Sequence, residues 1–455
     1  MYSKAVVKGA PSMQSPYARN SALSYQPTDP LRSHRSIADG TTGPIAFGPF
    51  IVDLGFARVF RDGQEIPLRP QVFRVLQFLI QNSGRLVDFD EILAEAWGGA
   101  RVSKHTVAVT LRELKDMLGE YGSWITIRPG YGYSLEIPES EHLMRVGQHF
   151  RSQFSRSGLD SALRCFEQVT EIEGANVRAW ESLAGLHMEI GFLSVRPPRE
   201  VNKSFLHAYH RVGVLKGGVT AGLQLDRAVS LYRFEWKLTE AESELRRILQ
   251  QNPKLIRAQV HLAVVFYLMG RAEEALEELG KVERADPLLP ALAYVKPRLL
   301  LYCREADAAA ACASQAVALH PNSPLTHITY ADVLDLTGDP AALAEYHVAS
   351  TIAPDIPWIK AHEARCLARQ GRSGEAMEML SQLQVKRQHE YVDAYPLAFL
   401  LEALGERDDA FHELERAYTE RSPMMFWLDR DTKSDALRND PRFAVLRDRV
   451  ASAVA

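Results

Sequence analysis

The sequence predicts two unlike parts in one chain: a small α+β unit near the N-terminus and, after it, a long all-α array of repeated helical pairs. Three observations lead there. Residues 45–138 mix short alternating strand patterns with three helical periodicities. From about Leu143 the strand patterns stop and helix follows helix. Within that run Pro253, Pro287, Pro321 and Pro354 recur at spacings of 34, 34 and 33 residues, the mark of stacked repeats rather than of one irregular core.

A chain of 455 residues has room for two or three domains. With 46% hydrophobic and 24% charged residues, its composition is that of an ordinary water-soluble protein. The formal net charge of −4 does not point to nucleic acid. Residues 45–138 hold 10 Lys/Arg against 11 Asp/Glu, so any contact with phosphate there must come from segregated charge. Cys165, Cys303, Cys312 and Cys366 have no metal-ligand spacing and read as reduced thiols, which suits a reducing cytoplasm. No apolar run reaches the roughly 18 residues a membrane span needs, and Ala5-Val6-Val7 is too short for a signal-peptide core.

In chain order, residues 1–44 are rich in Ser, Pro, Gly and Tyr without apolar periodicity and are expected to be a disordered tail. Lys4, Lys8, Arg19, Arg32 and Arg35 against Asp29 and Asp39 give the tail a charge of +3; its functional alternative is a weak arm on a DNA backbone. Strands are expected at Phe47–Val52, Arg58–Phe60 and Glu65–Leu68, with Asp62-Gly63 as a hairpin turn. A helix starts near Pro70, with Val72, Phe73, Leu76, Leu79 and Ile80 as its core face and Gly84 as its stop. A second runs from about Asp88 to Trp97. Phe73, Leu76, Leu93, Trp97, Leu111 and Leu114 are the expected shared core.

The stretch Arg101–Tyr133 organises this unit. Val107, Leu111, Leu114 and Leu118 form one apolar helical face, and Ser103 fits as the N-cap. The opposite face is expected to carry His105, Thr106, Thr110, Arg112 and Lys115, with Arg101 and Lys104 at its start. Ile125 and Ile127 then alternate before Pro129-Gly130, and Tyr133 and Leu135 after it, as in two short strands around a tight turn. A helix with a polar, partly basic face fits the major groove of a duplex, and a basic-tipped hairpin reaches backbone or minor groove.

These residues resemble the OmpR/PhoB-type winged-helix DNA-binding domain over about Ile45–Ile137. The resemblance runs through Ile66-Pro67-Leu68, Asn82-Ser83-Gly84-Arg85-Leu86-Val87, Ile92-Leu93, Trp97, Val107…Leu111…Leu114-Lys115…Leu118 and Gly130-x-Gly132-Tyr133. It implies a winged helix-turn-helix fold in which His105, Thr110, Arg112 and Lys115 face DNA; Arg101 and Lys104 would flank the backbone, Thr106 joins the DNA-binding set from the polar face, and Arg128 and Tyr131 stand at the wing. Arg112 can fork onto a guanine edge or a phosphate; Lys115 suits a phosphate; His105 and Thr110 suit phosphate or base. Glu113 stands where a basic residue is common in this family, and is open to two roles, accepting from cytosine or repelling phosphate. Arg128 lies one place before the usual basic position. The tail of 44 residues is too short for the phosphoacceptor domain that precedes this winged helix in response regulators.

The array, expected over residues 143–430, has the tetratricopeptide period. Its clearest unit places Leu262, Ala263 and Phe266 on the first helix, Gly270 at the turn, and Ala275 and Leu279 on the second. Small residues recur where paired helices approach closely: Ala241, Ala275, Ala309 and Ala376. Gly191–Gly222, with Pro197-Pro198 and Gly217-Gly218, breaks the rhythm and calls for a longer or irregular pair. Residues 431–455 are read as a capping segment.

No enzyme site emerges. Gly98-Gly99 and Gly217-Gly218 lack the lysine and spacing of a phosphate loop. His207 and His210 share a helical face but have no third ligand. The chain is therefore expected to be a cytoplasmic transcriptional regulator without cofactor. Its layout resembles one-component activators of the HilA type, with double-stranded DNA as first partner and a protein or small effector in the groove of the repeats. RNA polymerase and a second copy of the chain are further partners such a layout allows. The rival is an interaction scaffold whose winged helix no longer binds DNA.

Overall fold

The computed structural model describes residues 45–47, 49–61, 64–100, 102–153 and 155–454. The expected tail, the Asp62-Gly63 turn and Arg101 lie outside the described residues. The chain divides between Ile137 and Pro138 into two compact units.

The first unit opens with a four-stranded antiparallel meander, β1 (Ile45–Phe47), β2 (Phe50–Asp53), β3 (Arg58–Arg61) and β4 (Gln64–Ile66). The single strand expected at Phe47–Val52 is in fact the end of one strand and most of the next: Phe47 pairs with Phe50 across a tight reversal. Alternation cannot show that break, because Phe50 and Val52 keep the period-2 inward pattern on the far side of the turn. Both are fully buried, and Val52 pairs with buried Val59.

Helix α1 (Pro70–Gln81) begins with proline at its first position, where a missing N–H costs nothing. It buries all five expected residues and Val75 besides. Helix α2 (Phe89–Trp97) starts on a capping box. The Asp88 carboxylate accepts from the Glu91 N–H at 2.8 Å, and the Glu91 carboxylate accepts from the Asp88 N–H at 2.8 Å. Its buried face is Ile92 and Ala96; Leu93 and Trp97, expected in the core, are half-buried. The face is turned by one residue because α2 packs its Ile92 row, and not the Leu93 row, against α1 and the following helix.

Helix α3 (Lys104–Leu118) is capped by Ser103, whose hydroxyl accepts from the Thr106 N–H at 3.2 Å. Such a cap contributes about 1 kcal/mol. A short 3₁₀ turn leads into the hairpin β5 (Ile125–Arg128) and β6 (Gly132–Leu135), with Ile125 opposite Leu135. The hairpin is held to the rest of the unit by paired backbone bonds, Tyr133 N–H to Val87 O and Val87 N–H to Tyr133 O, both 2.8 Å.

The second unit is helical from Glu139, four residues before the expected start. The pair Ile256–Leu268 and Ala272–Ala285 shows the repeat plainly. Leu262, Ala263, Phe266, Ala275 and Leu279 are buried, and Gly270 turns the chain with φ +84°. Ala241, Ala275, Ala309 and Ala376 are all fully buried, so a larger side chain at any of them would push two helices apart. The irregular stretch contains the 19-residue helix Pro198–Lys216, then Ala221–Ser230 and a π-helical turn at Leu231–Glu235. Near the end, Met425–Trp427 and Thr432–Ala436 form 3₁₀ turns before the helix Pro441–Val454. This stretch does more than cover an end: Phe426, Trp427, Asp431 and Lys433 are buried.

Candidate nucleic-acid interface

Helix α3 sorts its residues by angle. At 100° per residue, Val107, Thr110, Leu111, Leu114 and Leu118 fall on one side, and all five are buried. Lys104, His105, Ala108, Val109, Arg112 and Asp116 are exposed. Arg112 and His105 have no hydrogen-bond or ion-pair partner among the described residues, so both are free to meet a ligand. Lys104 lies over the Phe89 ring at 5.7 Å, which places its charge at the helix start. Exposed Thr106 sits beside the cap, its hydroxyl 3.0 Å from that of Ser103.

Two expected contacts do not face outward. Thr110 is 4% exposed and its hydroxyl donates to Thr106 O at 3.0 Å. It lies three residues from Val107 and four from Leu114, which puts it on the core side of the helix. Lys115 is half-buried, and its ammonium donates to Ile125 O at 3.0 Å. It pins the first strand of the hairpin to α3 instead of standing free for a phosphate. Glu113 is likewise engaged: Arg69 Nε donates to its carboxylate at 2.8 Å, so the repulsive charge at that position is largely offset.

One residue that sequence reasoning missed is Val109, 45% exposed in the middle of the outward stripe between His105 and Arg112. The signal was its angle, four residues after His105; its hydrophobicity concealed it. An exposed valine or alanine on a groove-reading helix suits the thymine methyl.

The hairpin turns at Pro129-Gly130, where Gly130 adopts φ +83°. Ile127 (53%) and Tyr131 (75%) are exposed, as is Arg128, which has no partner among the described residues. At its base the Thr126 and Ser134 hydroxyls lie 2.6 Å apart across the strands. Gly132 adopts φ +145°, and a Cβ there would lie 2.1 Å from Val87 O. The wing is thus a stiff hairpin with a cation and an aromatic ring near its tip. Among the described residues no cluster of side chains could hold a metal ion, and His207 packs edge-on against Trp180 instead.

Residues 63–135 match the family described as transcriptional regulatory protein, C terminal, and residues 237–299 match a tetratricopeptide repeat. The chain carries an OmpR/PhoB-type domain followed by tetratricopeptide repeats. Over 78 residues it is 37% identical to the transcriptional regulatory protein CutR of Streptomyces coelicolor, covering 17% of this chain and 36% of that protein. Over 110 residues it is 34% identical to the transcriptional regulatory protein KdpE of Mycobacterium tuberculosis, covering 23% of this chain and 49% of that one. The chain thus spans less than half the length of each of these curated relatives. A solved structure, the human IFIT1 dimer with m7Gppp-AAAA, is similar over 72% of this chain and 79% of that one, at 14% identity and a TM-score of 0.48. Among the described residues no helix is long and apolar enough to cross a membrane.

Proposed function

We propose that this chain is a sequence-specific, DNA-binding transcriptional regulator of the one-component bacterial type, acting in the cytoplasm. Helix α3 enters the major groove. Arg112 reads a base edge, Val109 and Ala108 lie against thymine methyls, and Lys104, Thr106 and Arg128 take backbone phosphates together with Arg101. The repeats supply regulation through a protein or small-effector partner. The observation that carries this reading is the outward stripe of α3, where an unpaired guanidinium stands beside His105 and Val109 on a domain matched to regulators.

The test is sequenced capture of genomic DNA by the full chain, followed by binding of the selected site across a salt series. Arg112→Ala is expected to weaken that site by about 1–3 kcal/mol and to relax preference at one base pair. Equal affinity at equal salt would remove Arg112 from its role.

The salt dependence is expected to be modest. With Lys115 engaged by Ile125 O and Arg112 on a base edge, Arg101, Lys104 and Arg128 remain as phosphate neutralisers. The log–log slope for one bound domain is then roughly −3, and about twice that for a dimer on two half-sites. Lys115→Met should leave the slope unchanged; a slope shallower by about 1 would show that Lys115 does reach phosphate. If no genomic fragment binds even at low salt while the repeats capture a protein, the scaffold reading wins.

A further inference from the structure

The first helices of successive repeats face a cavity of about 390 Å³ within the second unit, a size typical of small-molecule sites. The chain's own segment Met424–Lys433 lies along it, with Trp427 against Tyr302 at 5.4 Å and Tyr267 at 5.8 Å.

Five cations and five carboxylates line the cavity, but only some of them meet as ion pairs. Arg151 is paired with Glu189, and Lys433 with Asp332 at 2.9 Å. Arg233, Arg257 and Arg298 have no carboxylate partner among the described residues. The Nε atoms of Arg233 and Arg298 are buried and have no hydrogen-bond partner among the described residues. Arg233 lies over the Phe192 ring at 4.9 Å, and the hydrogen bonds of both are long: Arg233 Nη2 to Phe192 O at 3.4 Å, and Arg298 Nη2 to Thr329 Oγ1 at 3.5 Å. All three guanidinium groups line the cavity together with Tyr294. Asp226, Asp393 and Asp431 share the cavity, and Asp226 with Arg257 and Asp393 with Arg233 act on each other through space, but none of the three comes within ion-pair distance of these arginines. Asp393 accepts from the Tyr395 N–H and the Ser422 hydroxyl. Asp226 makes no ion pair among the described residues. Burial pushes both up to about 6. A buried donor left unmade is costly, and guanidinium groups that donate to no carboxylate in a partly aromatic cavity suit an anion with an apolar body.

We propose that this cavity is an effector site for a small organic anion. A carboxylate or phosphate seats on Arg233, Arg257 and Arg298, and a flat apolar body lies against Phe192, Tyr294 and Trp427. The inference rests on the reading of the repeats as the regulatory half, and it is tested without DNA, so its failure and the failure of that reading are distinguishable.

The experiment is calorimetric titration of the full chain with indole-3-acetate, phenyl phosphate and tryptamine. At least one of the two anions is expected to bind one site per chain and to raise Tm; tryptamine, an indole bearing a cation, is not. Tighter binding by phenyl phosphate assigns a phosphate ligand, and tighter binding by indole-3-acetate a carboxylate. Arg257→Gln and Arg298→Gln are each expected to weaken the anion about tenfold with unchanged circular dichroism. Arg257 is exposed and unpartnered, so its replacement does not threaten the fold. Three results would overturn the proposal: neither anion binding at millimolar concentration, tryptamine binding as well as the anions, or binding indifferent to both substitutions.

Discussion

Lys433→Met is expected to cost the helical unit about 3–5 kcal/mol at pH 7, because it leaves a buried carboxylate without its counter-ion. The side chains of Lys433 and Asp332 are 6% and 5% exposed, with Nζ 2.9 Å from Oδ1. Burial by itself would raise the Asp332 pKa; Lys433, His362 and Arg298 overrule it and hold the carboxyl well below its ordinary value. A carboxyl so depressed stabilises the fold above its unfolded pKa of about 3.9 and loses that contribution as pH falls through the folded value. In the variant the largest of these charges is gone and burial is opposed only by His362, Arg298 and the Tyr346 hydroxyl, so the Asp332 carboxyl moves up and takes a proton more readily than in the parent as pH falls. Urea unfolding followed by circular dichroism at pH 7 and pH 4.5 should therefore show a deficit that shrinks at the lower pH. A deficit under about 1 kcal/mol, or one equal at both pH values, would mean that the pair is not what holds this segment.

Gly132→Ala is expected to destabilise the first unit by roughly 2–6 kcal/mol, combining backbone strain with a steric clash. The position needs φ +145°, and the added Cβ would meet the Val87 carbonyl oxygen that accepts from the Tyr133 N–H. Hydrogen exchange at the Tyr133 amide reports this without interference from the helical unit, and it should accelerate together with a loss of DNA binding. Gly130→Ala is the internal control. Its φ is +83° and a Cβ there meets nothing within 4 Å, so only the left-handed penalty of about 1 kcal/mol applies. Similar losses at both positions would show that φ alone, not the approach of Val87, makes Gly132 necessary.

The sequence by itself determined most of what is local. The first turn at Pro70, the cap at Ser103, the hairpin around Pro129-Gly130 and the repeat of near 34 residues all follow from signals within a few positions of the residues they govern. The core stripe of α3 was legible for the same reason, since residues three and four apart share a face whatever surrounds the helix. Only the tertiary structure decided the edges of that stripe. Thr110 went inward and Val109 outward because angle prevailed over polarity, and Lys115 was drawn to Ile125 O because the hairpin packs there. The break between Phe47 and Phe50 was invisible because alternation survives a tight reversal. Least legible was the cavity: Arg233, Arg257 and Arg298 come from three separate elements and look like ordinary surface charges in the sequence. Whether a guanidinium finds a carboxylate depends on which helices stack beside it and where the segment Met424–Lys433 lies. Those are long-range packing outcomes that no local periodicity encodes.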